Sequence, residues 1–343
     1  MTESRPSKAS QESATGTPGV AKRRPRMAVI GARRVRTGTG PFLALQAADA
    51  GAEVSAVIGT TRASAEQACS WLAERGLDCD GFMDWEEMMA GVAPDAIILA
   101  SPAGTHLPWL KAALAAGVHV LCEKPLLASA RIDLQAASRP AAEDEAGTIE
   151  ISNAFASAGL LLRENCQWPF TLGDFTRLHP DADLESVTYF RMLMSPSGSG
   201  ISRWIELLSH PLSLLQAIAP GPVELIDPHY HDDCELRFSW RTATRNLECL
   251  VEIVPDTTYP RPAVYQFGRH EMRREIEEDS YNFFFSSEDK RIAAADPMPL
   301  SVARFIAELI EVMATGAAPI DEGLVRRQKL LGILLDARPE TTN

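Results

Sequence analysis

The stretch AIILASPAGTHLPWLKAALAAGVHVLCEKP, residues 96–125, decides the fold. The apolar run Ala96–Ala100 predicts a strand buried on both faces, as in a parallel sheet. The turn-forming residues Ser101–His106 follow, and helical spacing then runs from Pro108 to Ala115. This order of strand, turn and helix predicts one half of a parallel β-α-β unit.

The second strand of this unit brings a lysine to a sheet edge. Gly117 is the residue type expected just after a helix, and residues 118–122 form another apolar run. Glu123 and Lys124 follow that run directly. Because open α/β sheets bind ligands beyond the carboxyl ends of their strands, we expect Lys124 to face a ligand crevice.

The same alternation extends towards the N-terminus. The sequence predicts strands at residues 27–31 and 52–59, and helices at 42–50, 63–75 and 84–90. Repeated β-α units predict a doubly wound parallel sheet, so the fold class is α/β over residues 27–127.

After residue 127 the pattern changes to short alternating strands, which suit a mostly antiparallel sheet with one packed face. We therefore expect a second α+β domain over residues 128–337, whose last helix packs back on the first domain. The predicted strands are 184–194, 223–230, 235–241, 247–254, 264–269 and 281–285. The predicted helices are 129–142, 149–158, 202–218, 300–314 and 322–337, and 143–145 is expected to be a solvated loop.

Composition excludes several classes of protein. The 343 residues are 45% hydrophobic and carry a net charge of −13, which argues against a general nucleic-acid surface. No apolar run is long enough to cross a bilayer, and residues 1–26 predict a disordered extension. The scattered cysteines lack metal-site spacing and indicate reduced thiols in a cytoplasmic protein without a metal site; they are Cys69, Cys79, Cys122, Cys166, Cys234 and Cys249.

Three short motifs resemble the Gfo/Idh/MocA oxidoreductases. They are Val29-Ile30-Gly31, Ala100-Ser101-Pro102 with Thr105-His106, and Glu123-Lys124-Pro125. The resemblance covers residues 27–337 and is strongest over 95–127. It implies an N-terminal Rossmann domain for NAD or NADP and a C-terminal domain that carries the substrate, whose open sheet forms a homodimer or homotetramer.

The first glycine loop departs from the usual dinucleotide pattern. Gly31 keeps its place, but Arg33 and Arg36 stand where the second and third glycines belong. A longer loop could present its amides and arginines to the pyrophosphate, or the arginines could be solvated in a loop that has lost cofactor binding. The cofactor-binding candidates in this loop are Gly31, Ala32, Arg33, Arg34, Gly38 and Gly40.

The end of the second predicted strand favours NADP over NAD. NAD enzymes usually place a carboxylate there for the ribose 2′-hydroxyl, whereas this chain has Thr60, Thr61 and Arg62. A guanidinium can pair with a 2′-phosphate that a carboxylate would repel. The alternative, a helix N-cap next to a solvated arginine, is compatible with this interpretation.

The resemblance also implies which residues lie beside the nicotinamide ribose: Ser101, Pro102, Thr105, His106, Glu123 and Lys124. A family lysine at the position of Lys124 contacts both that ribose and the substrate, so we expect Lys124 to assist proton transfer. The alternative for Lys124 is a salt bridge at the strand end.

A second group of candidates lies on the predicted helix 202–218. Glu206 and His210 share one helical face, and the family commonly has an aspartate and a histidine at this spacing. We expect His210 to act as an acid or base, with Glu206 orienting it, although the pair could also serve packing alone. Gln167-Trp168-Pro169 resembles the family strand that crosses beneath the substrate pocket, with Trp168 as a wall of the substrate site or a core aromatic. The run His229–Asp233 is expected to be a turn without a metal.

Two functions fit these residues. The first is an NADP(H)-dependent oxidoreductase that acts on a small polar molecule such as a sugar, a nucleotide sugar, a cyclitol or an imine. The second is a non-catalytic Rossmann-type sensor or binding protein that has lost hydride transfer, suggested by the altered glycine loop and by Glu206. NADPH binding distinguishes the two.

Overall fold

The structure, a computed structural model, describes residues 23–33, 39–128, 141–256, 258–277, 282–288 and 290–339. Two sheets organise these residues, one with six strands and one with eight. The expected fold class is therefore confirmed: a doubly wound parallel sheet precedes a mostly antiparallel one. Predicted features within residues 1–22 and 129–140 lie outside the described residues.

The first sheet is parallel throughout, in the order β3-β2-β1-β4-β5-β6. Its strand order reverses between β1 and β4, which creates a crevice at their carboxyl ends. Its strands are β1 (Arg26–Ile30), β2 (Glu53–Ile58), β3 (Asp80–Phe82), β4 (Ala96–Leu99), β5 (His119–Cys122) and β6 (Leu162–Glu164).

Helices cover both faces of this sheet, so β4 and β5 are buried along their whole length. These helices are α1 (Gly40–Asp49), α2 (Arg62–Ala73), α3 (Trp85–Gly91), α4 (His106–Ala115) and α5 (Ala141–Ser157). The prediction of a solvated loop at residues 143–145 is wrong, because helix α5 includes these residues and Asp144 is buried. Beyond the expected domain limit at residue 127, β6 still pairs with β5 and α5 still packs Phe155 into the core of the first sheet.

Two glycines allow the first strand and the first helix to approach closely. Gly31 has φ +121°, and a Cβ there would lie 2.6 Å from the Ala100 carbonyl oxygen. A Cβ on Gly40 would lie 2.0 Å from the Gly31 carbonyl oxygen. No other residue type fits these two positions without moving the backbone.

The second sheet has the order β14-β13-β12-β11-β7-β10-β9-β8, and only the β7–β10 pair is parallel. Burial alternates along β9, where Leu236, Phe238 and Trp240 face the core, so one face of this sheet is packed. Its strands are β7 (Tyr189–Met194), β8 (Glu224–His231), β9 (Glu235–Arg241), β10 (Asn246–Ile253), β11 (Ala263–Phe267), β12 (His270–Ile276), β13 (Phe283–Ser287) and β14 (Lys290–Ala293).

Four further helices join the two halves: α6 (Leu172–Leu178), α7 (Ile201–Ile218), α8 (Pro297–Thr315) and α9 (Glu322–Asp336). Helix α8 returns to the first half and adds Phe305 and Leu309 to its core. Helix α9 contributes Leu324 to the core under the first sheet and Leu330 to the core of the second. The sequence patterns did not predict α6, β12 or β14, which are short.

In the part of the chain that the structure describes, no helix is both long and apolar enough to span a membrane. Within the same residues, no group of three or more His, Cys, Asp or Glu side chains is placed to hold a metal ion. His229 and His231 lie at the end of β8 rather than in a turn, because the β8–β9 pairing extends to His231.

Candidate active site

Four strands of the first sheet end at one edge, where the predicted cofactor residues lie. Gly31 follows β1, Thr60 lies just beyond β2, Ser101 just beyond β4, and Glu123 and Lys124 directly follow β5. This edge includes the point between β1 and β4 where the strand order reverses. Open α/β sheets bind dinucleotides at such a point.

The N-terminus of α1 faces this edge without a side-chain cap. Thr39 occupies the N-cap position and makes no side-chain capping bond, and Pro41 lies in the first turn. Uncapped amides at a helix N-terminus bind phosphate well, so this turn fits a pyrophosphate. Ala32 is buried and Arg33 is exposed. Predicted Arg34 and Gly38 lie outside the described residues.

The segment after β2 has the properties expected of a binding site for a 2′-phosphate. Thr60, Thr61 and Arg62 are all exposed, and none of them is acidic. Thr61 also caps α2, because its Oγ1 accepts a hydrogen bond from the Ser64 amide at 3.1 Å. Cap and phosphate site can therefore coexist here, with Arg62 starting the helix beside the crevice.

The loop after β4 is held together by its own hydroxyl groups. Ser101 Oγ and Thr105 Oγ1 lie 2.8 Å apart, and Thr105 Oγ1 donates to the Pro102 carbonyl at 2.7 Å. Ser101 and Thr105 keep partial or full exposure. The loop thus presents a rigid polar surface to the crevice.

His106 lies behind this loop, and its contact with a cofactor remains a prediction. Its ring is fully buried, with Nε2 at 2.8 Å from the Ser101 carbonyl oxygen. Its Nδ1 lies 3.1 Å from the carbonyl oxygens of Pro125 and Leu126. His106 therefore ties the loop after β4 to the turn that carries Lys124.

Glu123 accepts a hydrogen bond from Asn165, a residue that none of the sequence motifs contains. Asn165 Nδ2 donates to Glu123 Oε1 at 2.6 Å. Burial raises the pKa of Glu123, while Lys124 and the bond from Asn165 lower it. Asn165 could have been identified from its place directly after β6, at the same sheet edge.

Lys124 reaches across the crevice to the second half of the chain. Its Nζ donates to the Glu206 carbonyl oxygen at 3.0 Å, in the second turn of α7. The ammonium is partly buried, and no carboxylate of the described residues lies within ion-pairing distance of it. Within the described part of the chain, Lys124 therefore does not form the salt bridge at the strand end that was the alternative for this residue.

His210 lies one turn further along α7 and is buried against Trp168, with ring centroids 6.1 Å apart. Burial lowers the pKa of His210 well below its usual value, and the charges of Lys124 and Arg274 lower it further. The imidazole is therefore neutral at pH 7. Its Nδ1 and the Trp168 Nε1 are both buried without a hydrogen-bond partner among the described residues.

Glu206 does not orient His210, so that expectation is wrong. Its Oε2 accepts hydrogen bonds from the amide and the hydroxyl of Ser197, at 3.1 and 3.0 Å. Its Oε1 lies 3.6 Å from Arg261. The carboxylate faces the loop before α7, because side chains four residues apart share a face without having to touch.

A cavity of about 240 Å³ opens beside His210. Trp168 lines this cavity and also belongs to the core of the second half, and it lies in a 3-10 turn (Trp168–Thr171) rather than in the predicted strand. Arg261 and Arg274 add positive charge, although Glu206 also lines the cavity. Those arginines come from the sheet region 261–276 and carry no sequence motif that would have marked them.

The cavity and the sheet edge together can hold two molecules side by side. The edge offers amides and hydroxyls suited to a dinucleotide. Trp168 and His210 line the cavity, and each has a buried nitrogen without a partner among the described residues. Lys124 follows β5 at this edge and bonds the backbone of Glu206, a residue that lines the cavity. Buried polar atoms without partners are costly, and a polar substrate that bonds them would remove that cost.

Comparison with known proteins agrees with this geometry. Residues 25–146 match the model of the Gfo/Idh/MocA family, described as an oxidoreductase family with an NAD-binding Rossmann fold. The resemblance drawn from Gly31, Ser101 and Lys124 is thereby confirmed over residues 25–146, and the description of this family names NAD as its cofactor.

Among curated proteins, the chain is 48% identical over 46 residues to D-xylose 1-dehydrogenase (NADP(+)) 2 of Haloferax volcanii. It is 41% identical over 76 residues to inositol 2-dehydrogenase of Corynebacterium glutamicum. These segments span 13% and 22% of this chain, and only 14% and 21% of the relatives' own length.

Solved structures share the fold over most of the chain. One is the 3-ketoreductase KijD10 from Actinomadura kijaniata in complex with NADP and TDP-benzene, with a TM-score of 0.64 and 17% identity, covering 92% of this chain and 98% of that one. Another is the UDP-N-acetylglucosamine 3-dehydrogenase GnnA from Acidithiobacillus ferrooxidans, with a TM-score of 0.61 and 16% identity over the same shares.

Proposed function

We propose that the chain is an oxidoreductase of the Gfo/Idh/MocA family and that it catalyses NADP(H)-dependent hydride transfer to or from a small polar substrate. The observation that carries this proposal is the position of Lys124. Its ammonium spans the gap between the cofactor edge of the first sheet and α7, which carries His210. A substrate in the cavity beside His210 would therefore adjoin the cofactor edge.

Residues of the first sheet fit the cofactor. The uncapped N-terminus of α1 would bind the pyrophosphate, Arg62 would pair with the 2′-phosphate, and Ser101 and Thr105 would bond the nicotinamide ribose. Glu123, fixed by Asn165, would orient the same ribose or Lys124. NADPH supplies a hydride when it is bound, so the chain itself has to move only a proton.

Lys124 and His210 would handle that proton. The Lys124 ammonium can donate to an oxygen or nitrogen of the substrate as that atom gains charge, which is general-acid assistance. His210 is neutral at pH 7, so it can accept a hydrogen bond from a substrate hydroxyl, while its lowered pKa disfavours taking up the proton itself. Trp168 Nε1 would donate a further hydrogen bond and fix the orientation of the substrate.

The substrate class that fits best is a polyhydroxylated molecule, either a sugar, a nucleotide sugar or a cyclitol, with an imine as a further possibility. Hydroxyl groups would satisfy the polar atoms of His210 and Trp168, and the indole would pack on the apolar face of a sugar ring. The relatives support this class, because they include a xylose dehydrogenase and an inositol dehydrogenase.

A fluorescence titration tests the proposal first. We expect the protein to shift or quench NADPH emission, and to reduce NADP+ with at least one member of a panel of aldoses, inositols and nucleotide sugars. The reverse direction is followed by NADPH consumption with keto sugars and cyclic imines. Lys124→Ala should retain NADPH binding and lose turnover, which separates the chemical step from cofactor binding.

The second candidate function is a cofactor-binding protein without hydride transfer. The arginines at positions 33 and 36 and the engagement of Glu206 with Ser197 favour it. NADPH binding without turnover over the whole panel would support this candidate. Absence of NADPH and NADH binding by a folded protein would contradict both functions.

A further inference from the structure

Helix α9 bonds directly to the segment that follows Lys124. Gln328 is buried, and its Nε2 donates to the Leu127 carbonyl at 2.9 Å. The Leu127 amide donates back to Gln328 Oε1 at 3.4 Å. One side-chain amide thus satisfies both backbone groups of a residue three positions after the predicted catalytic lysine.

A buried ion pair makes a second connection to the same segment. Glu164 Oε1 accepts the Leu126 amide at 3.0 Å, and Arg327 Nε lies 2.7 Å from Glu164 Oε2. The two charged side chains are only 3% and 12% exposed. Because a buried carboxylate is held in one geometry by such bonds, the Leu126 amide has a fixed partner.

The same arginine also reaches the helix that carries His210. Arg327 NH1 donates to Gln216 Oε1 at 3.0 Å, and Gln216 Nε2 donates to the Gly323 carbonyl at 3.1 Å. Helix α9 therefore bonds to both sides of the crevice, the turn after β5 and helix α7.

We propose that Arg327 and Gln328 are positioning residues that set the distance between Lys124 and His210. The effect of these residues on catalysis rests on the proposed function, whereas their effect on the position of Lys124 does not. Neither side chain lies within reach of the substrate cavity, so each acts through the backbone of residues 126–127 or through Glu164. Loss of these bonds frees the turn and moves the Lys124 ammonium from the Glu206 carbonyl.

Nuclear magnetic resonance of lysine tests this directly. The chain has six lysines, so protein labelled with 13C at lysine Cε gives few signals, and Lys124→Arg assigns the signal of interest. Gln328→Met and Arg327→Met should each move the Lys124 signal and leave those of Lys111 and Lys290 in place. Arg326→Met is the matched control, since Arg326 contacts only Glu322, at 3.9 Å, among its ion-pair partners in the described residues.

Kinetics provide the second measurement. In the variants we expect kcat to fall tenfold or more while the affinity for NADPH changes less than twofold. If Arg327→Met fails to fold, the double variant E164Q/R327M replaces it, because it leaves no unpaired buried charge. An unmoved Lys124 signal in folded Gln328→Met and in the arginine variant overturns the proposal. If the wild-type protein does not bind NADPH, the proposed function is wrong. The lysine spectra then still decide whether Arg327 and Gln328 position Lys124.

A different observation concerns two cysteines far from this site. The Sγ atoms of Cys69 and Cys79 lie 3.4 Å apart, and both side chains are partly exposed. Cys69 is in the second half of α2, and Cys79 immediately precedes β3. This places the pair near the amino end of β3, on the side of the sheet away from the cofactor edge.

We propose that Cys69 and Cys79 are a site of reversible oxidation by hydroperoxides. A thiolate attacks the peroxide oxygen to give a sulfenic acid and release water, or an alcohol from an organic peroxide. The second thiol displaces hydroxide from that sulfur and forms the disulfide, so two thiol hydrogens and two electrons reduce one O–O bond. Cys79 donates a hydrogen bond that lowers the pKa of Cys69, which favours Cys69 as the attacking group.

Intact-mass analysis after hydrogen peroxide treatment tests the site. We expect a loss of two hydrogens that dithiothreitol reverses, a peptide that links residues 69 and 79, and unchanged NADPH affinity. Cys69→Ser should abolish the loss of two hydrogens. Cys234→Ser changes an exposed cysteine and should leave that mass change in place. Overoxidation of Cys69 without a link to Cys79, or a link that runs through Cys234, overturns the proposal.

Discussion

The contacts of the Lys124 ammonium are the main support for proton transfer at this site. This ammonium bonds a backbone carbonyl, and no carboxylate of the described residues lies within ion-pairing distance of it. Arg62 is a comparable case at the cofactor edge, since it is exposed at the start of α2 and its neighbours Thr60 and Thr61 are uncharged. Each of these two residues supports one prediction.

Replacing Lys124 by alanine should remove turnover and leave the fold intact. Loss of a general acid usually costs about 10²- to 10⁴-fold in rate, and the side chain lies at the surface of a crevice rather than in a core. Steady-state kinetics with the substrate found by screening measure the loss, and circular dichroism checks the fold. Undiminished turnover would place the proton transfer on another group.

Replacing Arg62 by alanine should weaken NADPH more than NADH. A charge-assisted bond to a 2′-phosphate is worth about 1.5 kcal/mol or more, which is roughly tenfold in affinity. NADH lacks that phosphate and should be affected less than twofold. Thr60→Asp provides a second variant, which should repel the 2′-phosphate and shift preference towards NADH. Equal losses for both cofactors would show that these residues do not contact the phosphate.

Helix α7 shows how one element can serve both packing and chemistry. Its inner face is buried against the second sheet, yet Pro211 lies inside it and removes one backbone donor. The same helix carries the carbonyl that accepts Lys124 and the buried imidazole of His210. The helix therefore bonds the lysine one turn before the histidine that lines the cavity.

The depressed pKa of His210 predicts a loss of stability in acid. The unfolded chain binds a proton on this histidine near pH 6.5, whereas the folded chain binds it only at lower pH. Stability is thus unaffected above that value and falls as the pH drops, by about 1.4 kcal/mol per pH unit for this group. Urea unfolding between pH 7.5 and 5.5 measures it, and His210→Gln should show a flatter dependence. An identical slope in both proteins would mean that His210 is not buried as a neutral ring.

At the scale of the whole molecule, the second sheet has a partly exposed outer face. Leu193 points away from the core side that buries Met192, and Arg191 on the same face pairs with Glu252 and Glu271. A face that mixes apolar and charged side chains is suited to contact with another copy of the chain. The predicted homodimer or homotetramer remains a prediction.

We expect light scattering coupled to gel filtration to show a dimer or a tetramer, and Leu193→Lys to shift it towards monomer. The new charge would replace an apolar side chain in the interface and would have to lose its hydration there, which is unfavourable. NADPH affinity should be unchanged, because the first sheet is not altered. A monomeric wild type, or a variant with unchanged mass, would contradict the use of this face.

The residues of 96–125 alone determined the parallel sheet, the sheet edge and the place of Lys124, because local periodicity and turn composition dictate a β-α-β unit. Likewise the hydroxyls and arginine after β2 are adjacent in sequence, so their role could be inferred without coordinates. The alternating strands of the second sheet were located for the same local reason, whereas the short β12 and β14 were missed.

Only the tertiary structure decided which residues meet at the site. Glu206 could not be assigned from helical spacing, since its carboxylate binds Ser197 while its carbonyl receives Lys124. Asn165, Gln328 and the inward ring of His106 depend on contacts between residues far apart in the chain. Burial also sets the charge of His210, and a sequence pattern carries no information about the desolvation that follows from long-range packing.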